Sequence, residues 1–227
     1  MPGTGGKNNS KTLRKVIKKQ LFYIRRNLIY IEKLKGNIDM LSTKQKLELE
    51  TIKMLYTQQK EMIDKHTHSV ENRIVSISQP HVRPIVRGKA SANVEFGAKV
   101  AISVINGYAF VDRISWEAYN ESEDLETVIE NYRKSYGCYP EAVMVDKPYR
   151  NQKNIKFCTS NGIRISGPRL GRPPKNEMVD KQQAYKDSGI RNAVEGKFGI
   201  GKISYALSRV MAKLKDTAET AINMAFL

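Results

Sequence analysis

The sequence predicts an α/β domain with a mixed sheet flanked by helices, preceded by a basic helical hairpin. Three observations carry this expectation. Apolar residues recur at helical spacing between Ser10 and Asp64, among many lysines and arginines. Two runs rich in β-branched and aromatic residues meet at Asn106-Gly107. Beyond them, helical and short apolar extended segments alternate in the order β-β-α-β-α-β-α.

The leader, residues 1–9, is polar and glycine-rich and lacks the apolar core of a signal peptide. Ser10 can cap a helix that runs to about Lys35, with Gly36 as its stop. Within it Leu13, Ile17, Leu21, Ile24, Leu28 and Ile31 fall at three- and four-residue steps, which marks one buried stripe. Ser42 and Gln45 form a capping-box pattern for a second helix over 43–65. The short connection predicts an antiparallel hairpin over 10–68.

After His68 the pattern turns extended, with RIVSI at 73–77 and Pro80, Pro84 and Gly88 as turn formers. VEFGAKVAISVI (94–105) and YAFVDRIS (108–115) read as strands joined by Asn106-Gly107, the strongest short hairpin signal. Residues 124–136 form an amphipathic helix with Leu125, Val128, Ile129 and Tyr132 inward. The strand AVMV ends at Asp146, a helix spans 150–161, and IRI at 163–165 is another strand. SGPRLGRPPK, 166–175, is a basic loop, and helices follow over about 177–187 and 191–215. Residues 69–227 thus make the second domain.

The chain has 227 residues, 39 Lys and Arg against 23 Asp and Glu, and a net charge of +16. Residues 1–60 carry 14 of the basic residues against Glu32, Asp39, Glu48 and Glu50, a surplus of +10. Such an excess points to a polyanionic partner, nucleic acid ahead of an anionic membrane surface. Cys138 and Cys158 form no CxxC pair, so neither a zinc ribbon nor a disulfide scaffold is expected, and a cytoplasmic location fits. No apolar run reaches membrane-spanning length. A membrane or small-molecule role has no motif behind it, and no Walker or nucleophile motif is present. His66 and His68, two residues apart, do not share a helix face and read as boundary residues rather than metal ligands.

Two carboxylates remain. Asp146 closes a strand, where open α/β sheets present residues to a ligand crevice; the plainer reading is a residue that caps the turn beyond. In GIRNAVEGKFGIGKISY, 189–205, Arg191, Glu195, Phe198 and Lys202 fall on one helix face. The plainer reading there is a surface Arg–Glu pair. Gly196, Gly199 and Gly201 do not follow a strand in phosphate-loop spacing, and each costs a helix about 0.8–1 kcal/mol against alanine. The close approach of another backbone, sheet or DNA, would account for them.

The blocks NRIVSISQPHVRPIVRGKA, VEFGAKV, NGYAFVDRISWEAYNES, VDKPYRN, GPRLGRPPK and RNAVEGKFGIGK resemble, in this order, bacterial insertion-sequence transposases of the DDE class. The similarity is to the subgroup with a long helical insertion in an RNase H-like catalytic domain, and it runs from about Ser10 onward. It implies DNA transposition by phosphoryl transfer on DNA phosphodiesters, with three carboxylates holding two Mg²⁺ ions. Asp146 matches the second Asp and Glu195 the Glu, both catalytic and metal-binding by resemblance. Arg191 and Lys202 match a Tyr-x₂-Arg-x₃-Glu-x₆-Lys pattern and would contact DNA phosphate; the Tyr position is Ser188 here. The first Asp has no match: Asp39 and Asp64 fall in or beside helices, and Asp112 lies in another block. The expectation is therefore an incomplete RNase H-like core whose first strand is missing, inactive alone, with DNA and a homo-oligomeric copy as partners, and acting at the bacterial nucleoid. The alternatives are a non-catalytic DNA-binding regulator and a decayed transposase remnant.

Overall fold

The computed structural model describes residues 10–34, 40–89, 92–167, 170 and 181–227. They form two compact units, one up to Gly97 and one from Ala98 onward. The leader, Gly36, Asp39 and most of the basic loop at 166–175 lie outside the described residues.

The first unit opens with helix α1, Ser10–Lys33, and helix α2, Thr43–Asp64. The capping box forms as the sequence predicts: the Gln45 amide donates to the Ser42 hydroxyl at 3.3 Å, and the Ser42 amide donates back to Gln45 Oε1 at 2.9 Å. Leu21 from α1 and Leu49, Met62 and Ile63 from α2 are buried, as is Ile74 beyond the hairpin. Arg14 Nη1 and His66 Nδ1 are 2.7 Å apart, which ties the start of α1 to the end of α2. Residues 73–77 run without strand pairing; instead the Gln58 side chain satisfies the backbone there, accepting from the Ile74 amide at 2.9 Å. Strands β1, Arg83–Lys89, and β2, Ala92–Gly97, pair antiparallel.

In the second unit β3, Lys99–Ile105, and β4, Tyr108–Ser115, form the expected hairpin. Asn106 and Gly107 take φ of 52° and 84°, the two positive values a type I′ turn requires. Helix α3, Leu125–Tyr136, ends on Gly137 at φ 76°. Strand β5, Ala142–Val143, helix α4, Gln152–Ser160, and strand β6, Arg164–Ile165, complete a parallel β5–β6 pair with α4 as its crossover. Leu125, Ile129, Cys158 and Ile163 are the buried core between these elements, with Tyr139, Val145 and Phe157 packed around them. Cys158 is fully buried, and burial pushes its thiol pKa up, whereas Cys138 is exposed.

Two expectations are corrected. The strands make three separate two-stranded sheets among the described residues rather than one mixed sheet, because neither β4 nor β6 finds a further partner there. The last helical region is divided differently. Helix α5 is continuous over Lys181–Ser204, and helix α6 spans Lys215–Met224. α5 stops at Ser204, not near 215, because Ala206 turns to φ 54° and the Leu207 amide closes back onto the Gly201 carbonyl at 3.0 Å. That left-handed residue followed by a bond to the last helical turn is a Schellman-type stop, here without glycine.

Candidate active site

The site is built where the parallel strand pair meets α5. The amide of Val145 donates to the Ser166 hydroxyl at 2.9 Å, and the Ser166 amide donates to the Val143 carbonyl at 2.9 Å. These bonds carry the chain on past β5 to Asp146, three residues beyond Val143, so the expected strand AVMV is only two residues long and does not itself end at Asp146. A short 3-10 turn, Lys147–Tyr149, follows with Pro148 in its first positions, so the chain leaves the sheet at once.

Asp146 occupies the cap position of that turn, but its side chain makes no capping hydrogen bond. The capping role that an aspartate commonly takes in this setting is therefore not what holds it. Its carboxylate pairs instead with Arg191 of α5, Oδ1 to Nε at 3.4 Å, with the Asp146 side chain 70% exposed. Arg191 engages through Nε, and no hydrogen bond or ion pair to another described residue occupies its two terminal nitrogens.

The turn carrying Asp146 is fastened from behind by Asn154, 2% exposed. Its amide nitrogen donates to the Ser122 carbonyl at 2.8 Å and to the Tyr149 carbonyl at 2.7 Å. This one side chain joins the turn after Asp146 to a second short 3-10 turn, Glu121–Glu123, ahead of α3. Arg150 fastens the other side, with Nη1 donating to the carbonyls of Ile165 and Ser166 at 2.7 and 2.9 Å. Neither Asn154 nor Arg150 stood out in the sequence. A lone Asn inside an amphipathic helix carries no motif; only its position on the inward side of α4 could have flagged it.

Helix α5 is positioned by a ladder on one face. Arg164 of β6 donates to both Asp187 oxygens, at 2.6 and 3.0 Å, and Gln183 donates to the same carboxylate at 2.8 Å. The Arg164 guanidinium holds the Asp187 carboxyl below the usual range. Arg191 follows one turn later, and Phe198 meets Phe226 edge-on with ring centroids 5.3 Å apart. At Gly201 an added Cβ would lie 3.1 Å from Leu207 Cδ2 and 3.6 Å from the Ala225 carbonyl, so this glycine admits the chain's own return. At Gly196 and Gly199 an added Cβ would meet nothing within 4 Å. Of the three glycines, one is explained by packing inside the unit, and two lie on the open side of the helix next to Glu195.

Of the four residues singled out from the sequence, the structure pairs Asp146 with Arg191. Glu195 lies one turn after Arg191 on the same helix and is exposed, as is Lys202; neither side chain makes an ion pair among the described residues. Among the described residues no three His, Cys, Asp or Glu side chains gather into a group that could hold a metal ion. Asp146 and Glu195 are oxygen donors of the kind Mg²⁺ takes, but two carboxylates, one already paired to a guanidinium, do not make a two-ion centre by themselves.

A second electrostatic feature lies on the β3–β4 hairpin. Arg113 and Lys99 sit over the Tyr119 ring at 4.0 and 4.6 Å, while Arg113 pairs with Asp124 at 2.8 Å and Lys99 with Glu121 at 2.9 Å. Asp112, next to Arg113 but across the strand, accepts from the Ser103 hydroxyl at 3.1 Å; desolvation raises its pKa to about 6. Desolvation raises the Tyr149 phenol as well, with Glu121 nearby adding to it.

No helix of the described residues is long and apolar enough to cross a membrane. Residues 143–227 match the family model of the transposase DDE domain, a stretch that begins in β5 and includes Asp146, α5 and α6. No curated protein and no solved structure matches the chain.

Proposed function

We propose, from the premise that residues 143–227 belong to the transposase DDE domain family, that Asp146 and Glu195 are the catalytic carboxylates of a DNA transposition protein and that Arg191 and Lys202 bind its DNA phosphates. The observation that carries the reading is the uncapped Asp146 side chain, three residues past β5 and paired through Nε with Arg191, one turn ahead of Glu195. Arg191 orients the carboxylate with one edge of its guanidinium. The other edge is free to take a phosphate oxygen pair in the bidentate manner that guanidinium geometry favours. Lys202, two turns beyond Glu195, would add a point charge along the same DNA path.

The family resemblance brings with it two Mg²⁺ ions acting on a phosphodiester, and the described residues do not assemble the ligands for them. The reading is accordingly that this chain binds DNA and, weakly, a divalent ion, but is inactive alone, with a homo-oligomer or another chain needed to complete the centre. The experiment is Mn²⁺ binding followed by calorimetry, together with nicking of supercoiled plasmid. Wild type should bind Mn²⁺ weakly without nicking, and Asp146→Asn or Glu195→Gln should remove that binding. Undiminished Mn²⁺ binding in both variants would refute the assignment.

A second reading, a non-catalytic DNA-binding regulator, is favoured by α1, whose eight Lys and Arg face a single acid, Glu32. It expects salt-sensitive DNA binding that is indifferent to Mg²⁺ and to Asp146→Asn.

A further inference from the structure

We propose that the outward face of α1 is a binding surface for an unpaired nucleic-acid strand, with bases stacking on Phe22 and Tyr30 and phosphates held by Arg25 and Arg26.

The inward face of α1 is accounted for: Leu21 is buried, and Ile17, Ile24, Leu28 and Ile31 are half-buried on the same stripe. A second apolar line is not. Phe22 is 64% and Tyr30 55% exposed, with Ile29 between them. Phe22, Arg26 and Tyr30 follow one another at four-residue steps, with Arg25 and Ile29 alongside, so all five share one helix face. They line a shallow hollow. Tyr23 stands edge-on to Phe22 with centroids 6.0 Å apart and carries the Arg26 guanidinium 5.2 Å from its ring centre. Aromatic rings and guanidinium groups therefore alternate along about two turns of helix.

Charge selects the occupant. A second copy of α1 would bring the same eight basic residues against one acid, and such like-charge contacts are strongly disfavoured. A polyanion is favoured, and one that can use exposed rings must offer flat apolar surfaces. Nucleic-acid bases do so, but in a duplex their faces are stacked on each other and only edges and phosphates are reachable. Unpaired strands present both faces and backbone, which is the pattern of aromatic platforms in basic grooves. This surface lies in the first unit and does not depend on Asp146 or Glu195, so it stands or falls separately from the reading above.

The experiment uses the full chain and fluorescence anisotropy with a labelled oligothymidine and with a duplex of equal length. Phe22→Ala and Tyr30→Ala should each weaken oligothymidine binding about 5- to 150-fold, leaving duplex binding within about 2-fold. Both side chains are exposed, so the variants keep the hairpin core. The double variant Arg25→Gln with Arg26→Gln should make the log–log salt dependence for the oligothymidine shallower by about 1.4. Aromatic variants that bind the oligothymidine as wild type does would overturn the proposal. So would concentration-dependent self-association that Phe22→Ala abolishes while no strand binding is seen.

Discussion

Replacing Asn154 by leucine should loosen the second unit at the point where Asp146 is held. Asn154 is 2% exposed, and its amide nitrogen serves two carbonyls, Ser122 at 2.8 Å and Tyr149 at 2.7 Å. Leucine has similar bulk but no donor, so both carbonyls lose their partner. An unsatisfied buried acceptor costs about 1–3 kcal/mol, with the partly wet Tyr149 carbonyl at the low end. Extra apolar burial returns about 1 kcal/mol. The net expectation is a loss of about 1–3 kcal/mol. Trp116 is the single tryptophan, 9% exposed and inside the same unit, so its fluorescence in urea reports the right transition. The midpoint should fall by roughly 0.5–1.5 M with the slope unchanged. Asn161→Ala, which removes a bond to the Phe157 carbonyl at a wetter helix end, should cost under about 1 kcal/mol. A loss below about 1 kcal/mol for Asn154→Leu would show that the two 3-10 turns hold each other without this amide.

Three other outcomes are expected. Asp112, with a pKa raised to about 6, stabilises the fold when protonated; that stability is full below about pH 4 and fades as pH rises through 6. Asp112→Asn should flatten this part of the pH–stability curve; the carboxyl is crowded by its neighbours, but solvent still reaches the residue and screens the effect, so the change is modest, and an unchanged curve would exclude it. Gly199→Ala should raise stability by about 0.5–1 kcal/mol through helix propensity alone, whereas Gly201→Ala should not, since its Cβ would press on Leu207 at 3.1 Å; equal gains at both sites would contradict the packing described. Arg164→Met should remove the partner that keeps the Asp187 carboxyl below its ordinary range. In wild type that contribution persists above the ordinary carboxylate pKa of about 4 and is lost only as pH falls through the depressed value, so acid unfolding should begin at higher pH in the variant.

Local elements were legible wherever a periodicity and a stop signal coincided. Ser42 with Gln45 placed the start of α2, and Asn106-Gly107 placed the β3–β4 turn, because each signal is a self-contained chemical pattern. The end of α5 was not legible. Ala206 has no sequence mark of a left-handed residue, and the stop comes from Leu207 folding back over Gly201, a contact known only once the chain has returned. Sheet partnership failed for a related reason: strand composition at 94–115 and 142–165 gives each strand's existence, not its neighbour. At the site, i,i+4 spacing puts Arg191 and Glu195 on one helix face, but the same spacing extends back to Asp187, whose pairing with Arg164 of a distant strand anchors the helix and leaves no mark in the local sequence. Asn154 and Ser166 were invisible because their work is to satisfy backbone groups of other segments.

The two cysteines described with the core turn the second unit into its own clock. Cys138, exposed just past α3, should react promptly with a thiol reagent, while Cys158, enclosed by Ile129 and Ile163, must wait for the unit to open. After Cys138 is blocked, the remaining slow reaction counts openings of the α3–α4 layer directly. Because Asn154 lies one turn before Cys158 on α4, the same rate also follows the fastening of the Asp146 turn, and DNA or Mn²⁺ bound at that turn should slow it.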